Sequence, residues 1–314
     1  MSSEAAKNGC APKLIVLDIG LSATVPSMTS GSILEFSIDG KLQRTLVQSQ
    51  ALPDGLAADC ASGRMFWTCM GKPGDQDGAI YSADLNGKDL KTVVPTGAIN
   101  TPKQLTLDNV NKKVYFCDRE GLRVYRCNYD GTDLEHVIST GNADDPEVMQ
   151  DAENWCVGIA VAPQLGRFYW TQKGPSKGGK GRIFCASILT PSGASPHSRP
   201  DVHCILTGLP EPIDLEIDEK SHILYWTDRG EIPFGNSLNR IQLNESGLRV
   251  GTLSKPEVLT RHLNEAIGLK LDGKNGHIYI TDLGGNLYRC NMDGQNKTKL
   301  YSDDQRALTG LTLV

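Results

Sequence analysis

Leu224-Tyr-Trp-Thr-Asp228 is the stretch whose reading decides the fold. Its aromatic and β-branched residues suit a short strand packed on both faces. The pattern returns in degenerate form as Leu14-Ile-Val-Leu-Asp18, Met65-Phe-Trp-Thr-Cys69, Val114-Tyr-Phe-Cys-Asp118, Phe168-Tyr-Trp-Thr-Gln172 and Ile278-Tyr-Ile-Thr-Asp282. The last residues of successive copies lie 51, 49, 54, 56 and 54 apart. Six copies at so regular a spacing mark a repeated supersecondary unit.

About ten residues before every copy but the first stands a second run, as in Gly55-Leu-Ala-Ala-Asp59 or Gly268-Leu-Lys-Leu-Asp272. Turns such as Asp108-Asn-Val-Asn-Lys-Lys113 join the two runs into hairpins. A third strand follows each motif and ends on an Asp-Gly or Asn-Gly reversal, as in Val124-Tyr-Arg-Cys-Asn-Tyr-Asp-Gly131. A fourth run, such as Thr92-Val-Val94, completes the unit. The first copy lacks a preceding inner strand, whereas the chain ends on Thr309-Gly-Leu-Thr-Leu-Val314, an inner strand with nothing after it. These remainders complete one another. The expectation is an all-β, six-bladed β-propeller of four-stranded blades, closed when the C-terminal strand joins the first blade.

The motif copies and the Asp-Gly turns resemble the YWTD propeller of low-density-lipoprotein-receptor class B repeats. The resemblance extends over essentially the whole chain beyond residue 12. Residues 1–12 are read as a disordered tail and 13–314 as one propeller. The receptor propellers are extracellular and flanked by cysteine-rich modules. Here Met1-Ser-Ser-Glu-Ala-Ala-Lys-Asn-Gly-Cys10 has no apolar signal core, and no run has a membrane span's length. A cytoplasmic protein without a membrane span is therefore expected. The 314 residues are 39% hydrophobic with a formal charge of −5, and no basic patch interleaved with aromatics suggests a nucleic-acid partner. Nine cysteines, scattered through strands without a CxxC pair, read as free thiols.

In a propeller the inner strands begin at one face, the top. Long connections gather there, at 20–30, 70–77, 140–154, 173–181 and 229–236. Thr190–Pro200 reads as the one long bottom loop, dispensable because it is remote from the top. Long loops on a rigid scaffold are where binding and catalysis usually sit. The inner-strand starts bring Asp54, Lys103, Gln104, Trp155, Glu211, Asp214, Glu265 and Thr309 around the channel, with Arg229 and Phe234 on an adjoining loop. The Asp closing most motif copies reads as a backbone-binding structural group. HExxH, GxSxG, a Rossmann fingerprint, a P-loop and an EF-hand loop are all missing. Lactonase-type propellers hold calcium through Glu, Asn and Asp. Glu211, Asp214 and Glu265 approximate that set without a matching motif, so no metal is expected.

A lone YWTD propeller with these features is similar to the fungal hetero-Diels–Alderases of tropolone-sesquiterpenoid biosynthesis. That resemblance implies a secondary-metabolism pericyclase with no cofactor. Its substrates would be a hydroxymethyl tropolone, dehydrated to an o-quinone methide, and a humulene-type sesquiterpene alkene. Lys103, Arg229 or a protonated Glu211 would act as catalytic acid or donor. Asp54, Gln104, Trp155, Asp214, Phe234, Glu265 and Thr309 would bind substrate, with the Trp155 and Phe234 rings stacking on it. The alternative is a non-catalytic module that docks a protein or peptide on the top face.

Overall fold

The computed structural model describes residues 12–24, 27–251 and 254–314. Apart from Pro12, the expected N-terminal tail lies outside them, as does Cys10. Six four-stranded antiparallel sheets form a ring. Blade 1 runs outward through Leu308–Leu313, Lys13–Asp18, Gly31–Ser37 and Leu42–Gln50. Blade 2 comprises Pro53–Asp59, Arg64–Cys69, Gly78–Asp84 and Lys91–Ile99. Blade 3 comprises Pro102–Asp108, Lys113–Asp118, Arg123–Asn128 and Glu135–Ser139. Blade 4 comprises Cys156–Ala162, Arg167–Gln172, Gly181–Ser187 and His203–Leu209. Blades 5 and 6 follow as Pro212–Asp218, Ile223–Asp228, Ser237–Gln242, Glu257–Thr260 and Ala266–Asp272, His277–Asp282, Asn286–Asn291, Thr298–Ser302. Each motif copy is thus the second strand of its blade.

The motif explains how the blades are joined. Trp67, Trp170, Trp226, Tyr115, Tyr169, Tyr225 and Tyr279 are among the largest fully buried side chains and fill the space between sheets. The motif threonine then clips its blade to the next. Thr227 Oγ1 accepts the Asp214 N–H of its own inner strand (3.1 Å) and donates to the Ile267 carbonyl of blade 6 (2.5 Å). Thr68 and Thr171 repeat the pattern toward Lys103 and Ile213, and Thr281 donates to the Thr309 carbonyl. In blade 3 the Cys117 thiol takes this place, 3.3 Å from the Gly158 carbonyl. Blade 1 has Leu17 at the motif position, and Thr309 on its inner strand bonds the Pro53 carbonyl instead (2.9 Å). Every blade is therefore bonded to its successor.

Each inner strand of blades 2–6 bulges between its first and fourth residues. A Cβ on Gly158 at the bulge would lie 1.9 Å from the Ile213 oxygen, so neighbouring backbones approach too closely there for a side chain. The motif aspartates bind backbone, as their positions suggest. Asp118 accepts from Asn100 and Thr101, Asp228 from Glu211 and Gly230, and Asp282 from Asn264 and Asn286. They fix the segment that enters each inner strand.

Closure runs as expected. Leu14 pairs with Leu313 and Val16 with Leu311, and Arg306 reaches Asp18 at 2.8 Å. Two loop expectations need correction. The bottom face carries a second long connection, between Ser237–Gln242 and Glu257–Thr260, in addition to the one at 190–200. The 190–200 loop does not hang free: Arg199 is buried, bonds Asp201 and the Ser187 carbonyl, and lies 5.6 Å from the Phe168 ring. The top loop at 140–154 contains a short helix, Pro146–Gln150, capped by Asp145. The eight cysteines among the described residues are free thiols, and no described helix is long and apolar enough to cross a membrane.

Candidate functional site

The channel mouth at the top is built from two registers of the repeat. The residue after each motif donates its N–H to the carbonyl of the residue before the inner strand of the same blade. These pairs are Ile19–Ala307, Met70–Leu52, Arg119–Thr101, Lys173–Trp155, Arg229–Glu211 and Leu283–Glu265, at 2.9–3.2 Å. One residue type per blade therefore stands at an equivalent place in a collar around the mouth. The collar is divided. Blades 6, 1 and 2 contribute Leu283, Ile19 and Met70, whereas blades 3, 4 and 5 contribute Arg119, Lys173 and Arg229.

The apolar arc is one packed group, in which Ile19, Leu52, Met70 and Ala307 lie together with Leu283 against them. On the cationic arc the charges are knitted to one another. Glu211 is fully buried; one of its oxygens receives Lys173 at 3.0 Å and Arg229 at 2.5 Å, and the other receives Ser176 Oγ and the Lys177 N–H. Burial alone would raise the Glu211 carboxyl. The Arg229 and Lys173 cations outweigh it and hold the group below the usual carboxylate range. The protonated Glu211 expected from the sequence is thus corrected: it is an ionised anchor for two cations. Burial lowers the Lys173 ammonium from its ordinary value, opposed by Glu211. Arg119 and Lys173 stand 4.9 and 5.2 Å from the Trp155 ring, whose Nε1–H donates to the Met149 carbonyl. The stacking partners of Trp155 are these cations.

One tier lower, the second residue of each inner strand lines the channel. Asp54, Lys103 and Thr309 form a polar side, and Val157, Ile213 and Ile267 form an apolar cluster that also touches Leu283. Lys103 Nζ lies 2.8 Å from Asp54 Oδ1 and 3.1 Å from Met70 Sδ, and burial pushes its ammonium down. Gln104 Nε2 donates to the Asp54 carbonyl and carboxylate. Asp214 occupies the bulge register that is glycine in four blades. Its two oxygens accept the Leu215 and Leu269 N–H groups, and burial pushes its carboxyl up to about 8. The Thr309 hydroxyl is spent on the blade clip. Glu265 accepts only a long ion pair from Arg229, at 3.9 Å, and Phe234 is exposed on its loop.

Apart from Phe234 on its exposed loop, the sequence-derived residues thus fall into three places. Arg229, Glu211, Trp155 and Glu265 belong to the cationic arc. Lys103, Asp54 and Gln104 form a buried polar knot below it, and Asp214 and Thr309 serve the blade junctions. Arg119, Lys173, Ile19 and Leu283 were missed, although each is the residue directly after a motif copy. Ser176 and Lys177 pin the 173–181 loop to Glu211, and Lys177 also pairs with Glu231. Among the described residues no cluster of three or more His, Cys, Asp or Glu is placed to hold a metal ion.

No family model matches the chain. It is 47% identical over 306 residues to a Cochliobolus heterostrophus protein called 3-hydroxyacyl-CoA dehydrogenase-like protein LAM1, a match that covers 96% of this chain but 64% of that one. It is 44% identical over 308 residues to a Pyricularia oryzae protein called low-density lipoprotein receptor-related protein 1, covering 96% of this chain and 98% of the relative. Among solved structures, a chain of a nidogen/laminin complex superposes with a TM-score of 0.70 at 19% identity, covering 96% of this chain and 98% of its own. That likeness shows the fold alone. The identity to the Pyricularia protein runs nearly end to end in both chains, and on that ground this chain belongs to its family, the low-density-lipoprotein-receptor-related six-bladed propellers.

Proposed function

We propose that the divided collar is a small-molecule site and that the protein is a cofactor-independent cyclase of fungal secondary metabolism. The reaction is hetero-Diels–Alder addition of a tropolone o-quinone methide to a humulene-type alkene. The carrying observation is the split of the collar into one contiguous apolar arc and one contiguous cationic arc on a rigid ring. A hydrocarbon alkene suits the first and an oxygen-rich tropolone suits the second.

The chemistry asks for little beyond this. Water leaves the hydroxymethyl tropolone as a proton departs from its hydroxyl and hydroxide from its carbinol carbon. The resulting heterodiene then forms one C–O and one C–C bond with the alkene, with no net proton change. Arg229, backed by Glu211, donates to the departing oxygen and polarises the carbonyl; Lys103 supports the same field from the tier below. Holding the two partners in register removes several kcal/mol of barrier. The LAM1 name does not supply a competing activity, since a third of that protein lies outside the match and this chain lacks a dinucleotide-binding fingerprint.

The test incubates purified protein, without added metal or nucleotide, with a hydroxymethyl tropolone and a humulene alcohol. A single stereoisomer of the adduct, formed well above the rate in buffer, is expected. Equal rate and selectivity in buffer would leave a docking module, to which the exposed apolar residues of the top loops also lend themselves.

A further inference from the structure

The geometry points to an apolar track across blade 6 as the seat of the hydrocarbon half of the substrate, with Leu283 as its specificity-determining floor. This rests on reading the collar as a small-molecule site. Three observations carry it.

The first is the shortness of the blade 6 connection. Leu283, Gly284 and Gly285 alone join its motif strand to the next, whereas the equivalent connections of its neighbours, blades 5 and 1, are long. Blade 6 is thus a notch between two raised loops. The second is what those loops expose: Leu21 (54%) and Met28 (42%) on one side, Ile232 (54%) and Phe234 (62%) on the other. The third is continuity. Part-buried Leu283 packs against Ile19, Leu52, Met70 and Ala307 above and against Val157, Ile213 and Ile267 below. Apolar side chains therefore run from the floor of the notch at Leu283 into the channel.

The blade 4 side of the mouth, by contrast, is roofed by the 173–181 loop. Ser176 and Lys177 bind Glu211, Lys177 pairs with Glu231 at 2.8 Å, and Lys180 pairs with Glu153. The occupant of the track is an uncharged medium-ring hydrocarbon, because the floor presents Leu283, Ile19 and Met70, and the carboxylate beside it, Glu265, pairs with Arg229 at 3.9 Å. Its oxygenated partner lies beyond, on the cations.

Calorimetric titrations with two unreactive probes, a humulene-type alcohol and tropolone, test this on the intact protein. Leu283→Phe fills the floor and is expected to weaken the alcohol about tenfold, the equivalent of one lost side-chain contact, with tropolone unchanged. Ile232→Ser/Phe234→Ser alters exposed positions only, so folding is safe, and it is expected to weaken the alcohol several-fold. Failure of the wild type to bind the alcohol, unchanged alcohol affinity in both variants, or equal loss for both probes overturns the track. If the alcohol behaves as expected and no adduct forms, the track stands and the cyclase reading falls.

Discussion

At the scale of single residues, Lys103 shows how a site reading and a structural reading diverge. Its ammonium sits 2.8 Å from Asp54, a carboxylate that is itself only 2% exposed. Removing one partner of a buried pair strands the other, at a cost of about 3–5 kcal/mol. Lys103→Ala should therefore lower stability by roughly that much, and Lys103→Ala/Asp54→Asn should recover most of it. Urea denaturation of the three proteins decides; a single variant as stable as the wild type contradicts the pairing. Thr227→Val is expected to cost about 2 kcal/mol, since the Asp214 N–H and Ile267 carbonyl both lose their partner. A change below about 0.5 kcal/mol would deny the clip its role. The sequence exposes the types of these residues but hides their partners. Asp54 and Lys103 lie 49 positions apart, so their meeting is a property of the ring. Arg119 and Lys173 were legible in principle. Aligning the six copies one residue beyond the motif shows three apolar and three cationic side chains, each set filling an unbroken half of the circle.

Among elements, the motif strands and the closing strand were readable because burial on both faces leaves an aromatic, β-branched record. Deleting 307–314 should expose the edge of blade 1 and yield a protein that aggregates or melts without cooperativity. Scanning calorimetry and light scattering would show it. Connections left a weaker record. The 190–200 loop looks expendable as text, but Pro196 accepts the Ser139 N–H of blade 3 and Arg199 is held inside blade 4. Removing the loop should lower the melting temperature. Arg199→Ala alone should account for much of the loss, about 1.5–3 kcal/mol, because its charge-assisted bonds to Ser187 and Asp201 go together. An unchanged melt would return the loop to the dispensable class.

Over the whole molecule, burial pushes Asp118 up to about 6, Asp228 to about 7 and Asp214 to about 8. The unfolded chain ionises such groups near about 3.9, so between that value and each folded one the native protein holds protons that the unfolded chain has released. Stability contributed by these groups is present at the acid end and lost as pH rises toward about 8. Glu211, held low by its cations, works the other way and loses its contribution only as pH falls below the ordinary carboxylate range. Urea midpoints should therefore decline from about pH 5 to about pH 8, and Asp214→Gly should flatten the upper part of that decline. Midpoints constant over the interval would mean that these carboxyls are ionised in the folded ring. The seam in blade 1 has a kinetic meaning as well. Arg306 and Asp18 meet across 288 positions, and Leu17 gives blade 1 no hydroxyl of its own with which to grip blade 2. Four junctions can form in order as the chain leaves the ribosome. The other two have to wait for Thr309, which bonds the Pro53 carbonyl of blade 2 and accepts from Thr281 of blade 6, and until then the Lys13–Asp18 strand is an open template, so the time spent unclosed, rather than the strength of the finished ring, sets how much of each synthesised batch is lost to aggregation.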